Sequence, residues 1–291
     1  MELGVVILPE HQWTEARALW RRAEDLGFAH AWTYDHLAWR SLRDSPWFAT
    51  VPTLTAAATA TQRMRLGPLV ASPNFRHPVP FAKELMTLDD VSGGRLVVAI
   101  GAGGYGWDST VLGEQPLSPR DRAARFAEFV ELTDLLLRQP ETSYRGRFYT
   151  ADGATNRPGC VQRPRPPFAI AATGRRGMEL AARFGAFWVT TGEGVPGELV
   201  GPDDGARVVA RQMEQLDEAC ARVGREPSTL RRMVLTGPLL DAGLESVDAF
   251  SHALGCYAEV GVDDLVVHWP RPTEPYRGDV DVFERVISSA V

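Results

Sequence analysis

The 291 residues carry 31 Lys and Arg against 37 Asp and Glu, and no stretch gathers basic side chains to neutralise a phosphate backbone, so nucleic acid is excluded as a partner. Hydrophobic residues make up 44%, charged residues 23%, and no apolar run nears the ~20 residues a membrane span needs, so a membrane is excluded as well. Cys160, Cys220 and Cys256 stand far apart at no metal-ligand spacing, and the chain starts without a basic leader; both are expected of a protein of the reducing cytoplasm, with the thiols as small fillers.

Leu3–Leu8 is a continuous apolar run rich in β-branched residues, the pattern of a strand buried on both faces. Thr14 can cap the helix that follows, whose stripe of Ala16, Leu19, Ala23 and Leu26 stops at Gly27. Ala31–Tyr34 is the second strand and ends in Asp35 and His36; an Ala/Thr-rich helix runs from Val51 to Thr61. The third strand begins at Arg65 and breaks at Ala71-Ser72-Pro73. It delivers Asn74, Arg76 and His77 before a helix from Val79 to Val91. Leu96–Ile100, the fourth strand, empties into a glycine-rich stretch from Gly101 to Asp108, and the longest helix follows from Arg120 to Leu137. Thr142–Thr150 reads as a hairpin turning at Arg145-Gly146-Arg147, and Pro158–Pro167 as an extended linker over the surface. Four more strands follow at Phe168–Ala171, Ala186–Val189, Arg232–Leu235 and Asp264–His268. Their helices end at Phe184 or span Asp204–Val223, Val247–Val260 and Asp281–Ser288.

Eight strands, each followed by a helix and with no second block of different composition, predict one domain over residues 1–291. The fold class is α/β, a (β/α)8 TIM barrel, with an open parallel sheet as the alternative. Loops after strand carboxyl ends form the active face of such a barrel. Asp35, His36, Ser72, Asn74, the Gly101–Asp108 stretch, Thr173–Gly177, Thr190, Thr191 and His268 should therefore be weighed together. Tyr34, Trp39, Trp47, Tyr105, Trp107, Trp188 and Trp269 interleave with them, a lining suited to a flat, largely apolar ligand.

Thr173-Gly174-Arg175-Arg176-Gly177 joins a glycine-rich turn, two guanidinium groups and a helix N-terminus. It is a phosphate site on one reading and a capped helix with two solvated arginines on the other. Asp35-His36 is equally open between a general acid/base pair and a loop brace. Gly101–Gly106 misses the dinucleotide fingerprint, because the next helical signal comes only near Pro119. His268 is open between a structural and a functional role, and His11, His30 and His252 fall in surface or helical positions. No His, Asp or Glu set has metal-ligand spacing, so no catalytic metal is expected. Lys83, the one lysine, sits in a helical stretch, which discounts Schiff-base and P-loop mechanisms.

Three segments resemble the bacterial luciferase-like flavin- or deazaflavin-dependent oxidoreductases: Trp32-Thr-Tyr-Asp-His-Leu37, Leu66-Gly-Pro-Leu-Val-Ala-Ser-Pro-Asn-Phe-Arg-His-Pro78 and Ser92-Gly-Gly-Arg-Leu-Val-Val-Ala-Ile-Gly-Ala-Gly103. Ala169-Ile-Ala-Ala-Thr-Gly174, Gly185-Ala-Phe-Trp188 and Gly261-Val-Asp-Asp-Leu-Val-Val-His268 extend the resemblance over essentially the whole chain. The resemblance implies a tricyclic ring in the barrel mouth, supported by a non-prolyl cis peptide at Leu69–Val70. It implies that Asp35, Ser72 and Gly103 approach the cofactor and that Thr173, Gly174, Arg175, Arg176 and Gly177 hold its phosphate. The Asp-His pair, the Pro-Asn-Phe-Arg-His-Pro ending and the lack of a long insertion lean toward the branch that uses coenzyme F420, with FMN as the alternative.

The reaction implied is hydride transfer between the deazaflavin and a small organic substrate. His36 would position or protonate the reacting group, and Trp39 would wall the substrate. An FMN-dependent monooxygenase and a non-catalytic flavin-binding barrel are the alternatives. Sugar-phosphate dehydrogenases of this branch carry a glutamate where this chain has Gly104 and a lysine where it has Glu193, and their tryptophan falls one residue later than Trp39. The resemblance thus argues against a sugar phosphate here and leaves Asp108 as either a substitute acid or the cap of a turn. Members of the family often dimerise through barrel helices, so a homodimer is an expectation of the same kind.

Overall fold

Alternation along the apolar runs decides which side of the barrel wall each residue takes. In the computed structural model, which describes residues 1–104, 106–195 and 198–290, Val5 and Ile7 join the layer shared with the helices. Val6 and Leu8 join a smaller cluster inside the barrel. Leu265 and Val267 face outward and Val266 inward by the same rule. Tyr105, expected in the mouth, lies outside the described residues.

Eight parallel strands form the wall: β1 (Glu2–Val6), β2 (His30–Thr33), β3 (Arg65–Pro68), β4 (Val98–Gly101), β7 (Phe168–Ala171), β8 (Phe187–Thr190), β9 (Arg231–Leu235) and β10 (Asp264–His268). Their order is β3-β2-β1-β10-β9-β8-β7-β4, and bridges Leu66–Leu96 and Ala71–Ile100 join the two ends. The expected barrel is thus present and closed. Between these two bridges the β3 chain passes Gly67, where a Cβ would stand 1.8 Å from the Val97 carbonyl oxygen, so only glycine fits. The peptide bond Leu69–Val70 is cis, and the ladder resumes where the Ala71 N–H donates to the Ala99 carbonyl at 2.8 Å.

The helices are α1 (Trp13–Asp25), α2 (Thr50–Ala60), α3 (Pro78–Val91), α4 (Pro119–Arg138), α5 (Arg175–Phe184), α6 (Pro202–Val223), α7 (Val247–Glu259) and α8 (Val280–Ser288). Local chemistry sets their limits. Ser118 and Ser246 accept backbone N–H groups of the first turns of α4 and α7, Pro opens α3, α4 and α6, and Gly224 closes α6 in the left-handed conformation. α1 starts at Trp13 behind Gln12, with no side-chain cap, so Thr14 lies inside the helix rather than capping it. Among the described residues no helix is long and apolar enough to cross a membrane.

The hairpin between α4 and β7 is longer than expected, pairing β5 (Glu141–Arg145) with β6 (Thr150–Thr155). Pro158–Pro167 is more than a surface linker. It holds cis bonds at Arg157–Pro158 and Arg163–Pro164, buries Cys160, and ties Gln162 to Asp89. Arg165 reaches Asp134 at 2.6 Å and the Phe184 carbonyl at 2.9 Å while lying over the Phe168 ring. His30 also departs from expectation. It is 1% exposed at the amino end of β2, with Nε2 3.0 Å from Asp264 and Nδ1 accepting from the Trp32 indole at 2.7 Å.

Candidate cofactor and active site

Alternation also corrects the aromatic lining. Trp188, fully buried, and Trp269, 6% exposed, both belong to the outer apolar layer, because their positions send the rings toward the helices. Trp188 still serves the mouth indirectly, donating its indole N–H to the Ala172 carbonyl at 2.7 Å and so bracing the turn before α5. Of the aromatics named from the sequence, Tyr34 and Trp39 line the cavity at the carboxyl ends of the strands.

That cavity encloses about 950 Å³, enough for a cofactor-sized ligand. One part is an apolar slot: Leu69, Val70, Ala171, Val189 and Leu235 contribute small or flat walls. The other part is an anion cradle. Thr173, Gly174, Arg175, Arg176 and Gly177 all line it, and Gly174 sits at the N-cap of α5 without a side-chain cap. First-turn N–H groups of a helix have no intrahelical partner, and the helix dipole adds positive potential there. The tight turn requires Gly177, where a Cβ would meet that of Ala172 at 2.6 Å.

Arg120 and Arg122, from the first turn of α4, reach the same cavity, as does Arg40. Among the described residues, five arginines therefore line the cavity and no carboxylate does. The sequence reading found Arg175 and Arg176 but missed the other three. The Ser118-Pro119 helix start was the available signal for Arg120 and Arg122, since it aims a second helix N-terminus at the mouth.

His36 lines the cavity with its side chain 34% exposed, and a loop residue far along the chain holds it. Asp108, in the turn after β4, places Oδ2 2.5 Å from His36 Nδ1 while its Oδ1 accepts the Leu37 N–H at 2.9 Å. The Trp47 indole fixes the other side of the backbone by donating to the His36 carbonyl at 2.8 Å. With Nδ1 donating to an ionised Asp108, Nε2 is the nitrogen left for chemistry. Asp108, left open above as acid or turn cap, is 5% exposed and acts as the partner of His36. Trp39 packs beside His36, Tyr34, Trp47 and Tyr276.

Asp35, Ser72 and Gly103 do not line the cavity. Asp35, 1% exposed, accepts two bonds from Arg76 at 2.5 and 2.8 Å. The Ser72 hydroxyl accepts the Asn74 N–H at 3.1 Å. Gly103 takes φ +72° with both of those side chains 2.6 Å from where its Cβ would be. These bonds brace the loops after β2, β3 and β4, and Ala102, next to Gly103, lines the cavity.

His268 also lies apart. Burial pushes it down to about 3, so the ring is neutral, and its Nε2 stands 2.7 Å from the Tyr34 hydroxyl while Tyr276 stacks on it at 3.6 Å. It lines a second cavity of about 760 Å³, which shares Trp39, Arg40 and Pro238 with the first.

A parallel barrel whose mouth joins an apolar slot to an anion cradle has the build of a cofactor-binding (β/α)8 enzyme. The chain belongs to the luciferase-like monooxygenase family, whose profile matches residues 1–258. It is 30% identical over 195 residues to the 5,10-methylenetetrahydromethanopterin reductase of Archaeoglobus fulgidus, a match covering 64% of this chain and 51% of that protein. It is 31% identical over 210 residues to the F420-dependent glucose-6-phosphate dehydrogenase of Nakamurella multipartita, covering 67% and 58%. With the FMNH2-dependent dimethylsulfone monooxygenase of Pseudomonas putida it shares 26% identity over 197 residues, covering 67% and 54%. The chain thus spans about half the length of these curated relatives. In fold it is similar to an F420-dependent secondary alcohol dehydrogenase solved with an F420–acetone adduct, at TM-score 0.82 and 17% identity over 100% of this chain and 98% of that one. The F420-dependent tetrahydromethanopterin reductase of Methanopyrus kandleri gives 0.78 and 18% over the same shares.

Proposed function

We propose that this protein is an oxidoreductase that transfers hydride between coenzyme F420 and a small organic substrate. One observation carries the reading: a single cavity joins an apolar slot to a cradle of α5 N–H groups and arginines, with the His36–Asp108 pair at its wall. The residues suit the group. Leu69, Val70 and Ala171 offer surface to a flat ring, and Thr173–Gly177 offer donors to a phosphate. A bound deazaflavin would supply two-electron hydride chemistry.

The chain's own part is to hold, screen and move a proton. Asp108 keeps His36 in the tautomer whose Nε2 is bare, so Nε2 can take a proton from an alcohol or, once protonated, return it to a carbonyl oxygen. Trp39 and Tyr34 wall the space beside His36 against water. The name of the dehydrogenase relative supports F420, and the name of the Pseudomonas relative supports FMN as the second reading. Gly104 and Glu193 stand where sugar-phosphate enzymes are expected to carry an acid and a lysine, so a sugar phosphate is not carried over.

Fluorescence titration separates the readings. F420 should bind at micromolar concentration and FMN, oxidised or reduced, at least about a hundredfold more weakly, a gap of ~2.7 kcal/mol. The reverse order would assign the cavity to FMN. Arg175→Ala with Arg176→Ala should weaken F420 binding by about tenfold or more at low salt and less at high salt, since charge-assisted contacts to a phosphate are screened.

A further inference from the structure

On the outer face of the barrel, far from the arginine cradle in sequence and in role, three side chains with metal-ligating atoms meet. Asp203 lies in the first turn of α6. His252 and Cys256 stand four residues apart on α7, hence one above the other on the same face. Contact between the helices sets His252 Nε2 2.9 Å from Asp203 Oδ2, and Cys256 Sγ 3.5 Å from His252 Nε2 and 3.9 Å from Asp203 Oδ1.

A tetrahedral ion with metal–sulfur bonds of about 2.3 Å and metal–nitrogen or metal–oxygen bonds of about 2.0–2.1 Å sets its ligand atoms roughly 3.3–3.6 Å apart. The 3.5 Å edge between His252 Nε2 and Cys256 Sγ falls in that range, while the contacts to Asp203 run to its two different oxygens, 2.9 Å from the imidazole to Oδ2 and 3.9 Å from the thiol to Oδ1. A hydrogen bond between His252 and Asp203 accounts for the shortest contact, and the thiol makes only long contacts to the same two side chains. An ion would take one ligand atom from each of the three side chains. The local charge also suits a dication. Once an ion displaces the thiol proton, Asp203 and Cys256 bring two negative charges, and the nearby Arg207 is paired with Asp204.

We propose that Asp203, His252 and Cys256 form a binding site for a zinc-class divalent ion that clasps the start of α6 to α7, with water as the fourth ligand. Thiolate and imidazole select zinc over magnesium or calcium, and an oxygen–nitrogen–sulfur set with one open position is within zinc's ordinary range. The site is accessible, since the Asp203 and His252 side chains are 61% and 56% exposed. Asp203 follows closely on Leu199, which lines the second cavity, so the ion would fix the start of α6 beside it. The expectation of no metal spacing did not reach it, because Asp203 joins the pair only through helix contact. The inference is independent of the cofactor reading.

The test uses the full chain stripped of metal with a chelator. Calorimetry should find one equivalent of Zn2+ bound at micromolar concentration or tighter, and Co2+ should give a thiolate charge-transfer band in the near ultraviolet with tetrahedral visible bands. Cys256→Ser should abolish the near-ultraviolet band, and His252→Ala should weaken Zn2+ binding by about tenfold or more, ~1.4 kcal/mol. Both positions lie on helix surfaces, so circular dichroism should report a native fold for each variant. Affinity should fall as pH drops, because the ligands must lose protons to bind. An octahedral Co2+ spectrum without the sulfur band, millimolar affinity, or binding unchanged in both variants would overturn the proposal.

Discussion

The two ends of the barrel use charge in opposite ways. At the amino end, Asp264 has no exposure and accepts two bonds from Arg231, each 2.9 Å, while His30 Nε2 stands 3.0 Å away. Glu2 pairs with both Arg65 and Arg231, which ties β1, β3 and β9 together. Each charge there meets an opposite charge. At the carboxyl end, the described lining of the cavity holds five arginines and no carboxylate, though Arg175 also pairs with Glu179 outside it, and a half-buried histidine is aimed by a buried aspartate. Stability resides at the first end, and the second keeps a positive field available to a ligand.

That division of labour is broken most sharply by His36→Ala. If Nε2 moves a proton in the reaction, turnover should fall by roughly 10²–10⁴-fold while F420 affinity and the melting temperature change little. Equal losses of turnover and affinity would make His36 a binding residue. Asp108→Asn should fall between wild type and His36→Ala in turnover, because His36 stays but its tautomer is no longer set by an anion. A variant with wild-type turnover would reduce Asp108 to a loop brace.

The mirror experiment is Asp264→Ala. It leaves buried His30 and one end of Arg231 without their anion, and should cost about 2–3 kcal/mol in urea unfolding. The figure stays below that of a wholly buried pair because Arg231 is 38% exposed. Turnover per folded molecule should be unchanged. A large loss of turnover with intact stability would show that the amino end reaches the site.

What could be read from the sequence follows the same division. The eight apolar runs announce their strands because strands buried on both faces have no polar face to obscure them, and the Arg175-Arg176 turn announces a helix N-terminus by composition. His36 was legible because it directly follows a strand. Its partner Asp108 lies 72 residues away and joins it only when the loops after β2 and β4 meet. Asp35 illustrates the converse. It sits beside His36 in the chain, but its carboxylate is taken up by Arg76, a choice made by tertiary pairing and not by local pattern. His30 looked like a surface residue because a lone polar side chain at a strand start usually is one. Only the pairing of β1 with β10 brings Asp264 within reach.

The last comparison separates the ends by pH. Burial holds His268, near the mouth, down at about 3, while an unfolded histidine titrates near 6.5. Between those values the unfolded chain binds the extra proton, so stability should fall as pH drops from about 6.5, by at most ~1.4 kcal/mol per pH unit. Asp264 acts in a lower window. Burial alone would raise its pKa, but hydrogen bonds from His30 and Arg231 prevail and hold it below the usual aspartate value. Its contribution is therefore complete above about pH 4 and lost only as pH falls through the lowered folded value. Urea midpoints measured from pH 7 to pH 3 should show two limbs in the wild type. His268→Phe should flatten the upper limb and Asp264→Asn the lower, each at reduced overall stability. If His268→Phe kept the slope between pH 6.5 and 4, His268 would not be its source, and the buried Tyr34–His268–Tyr276 cluster would serve the barrel as packing alone.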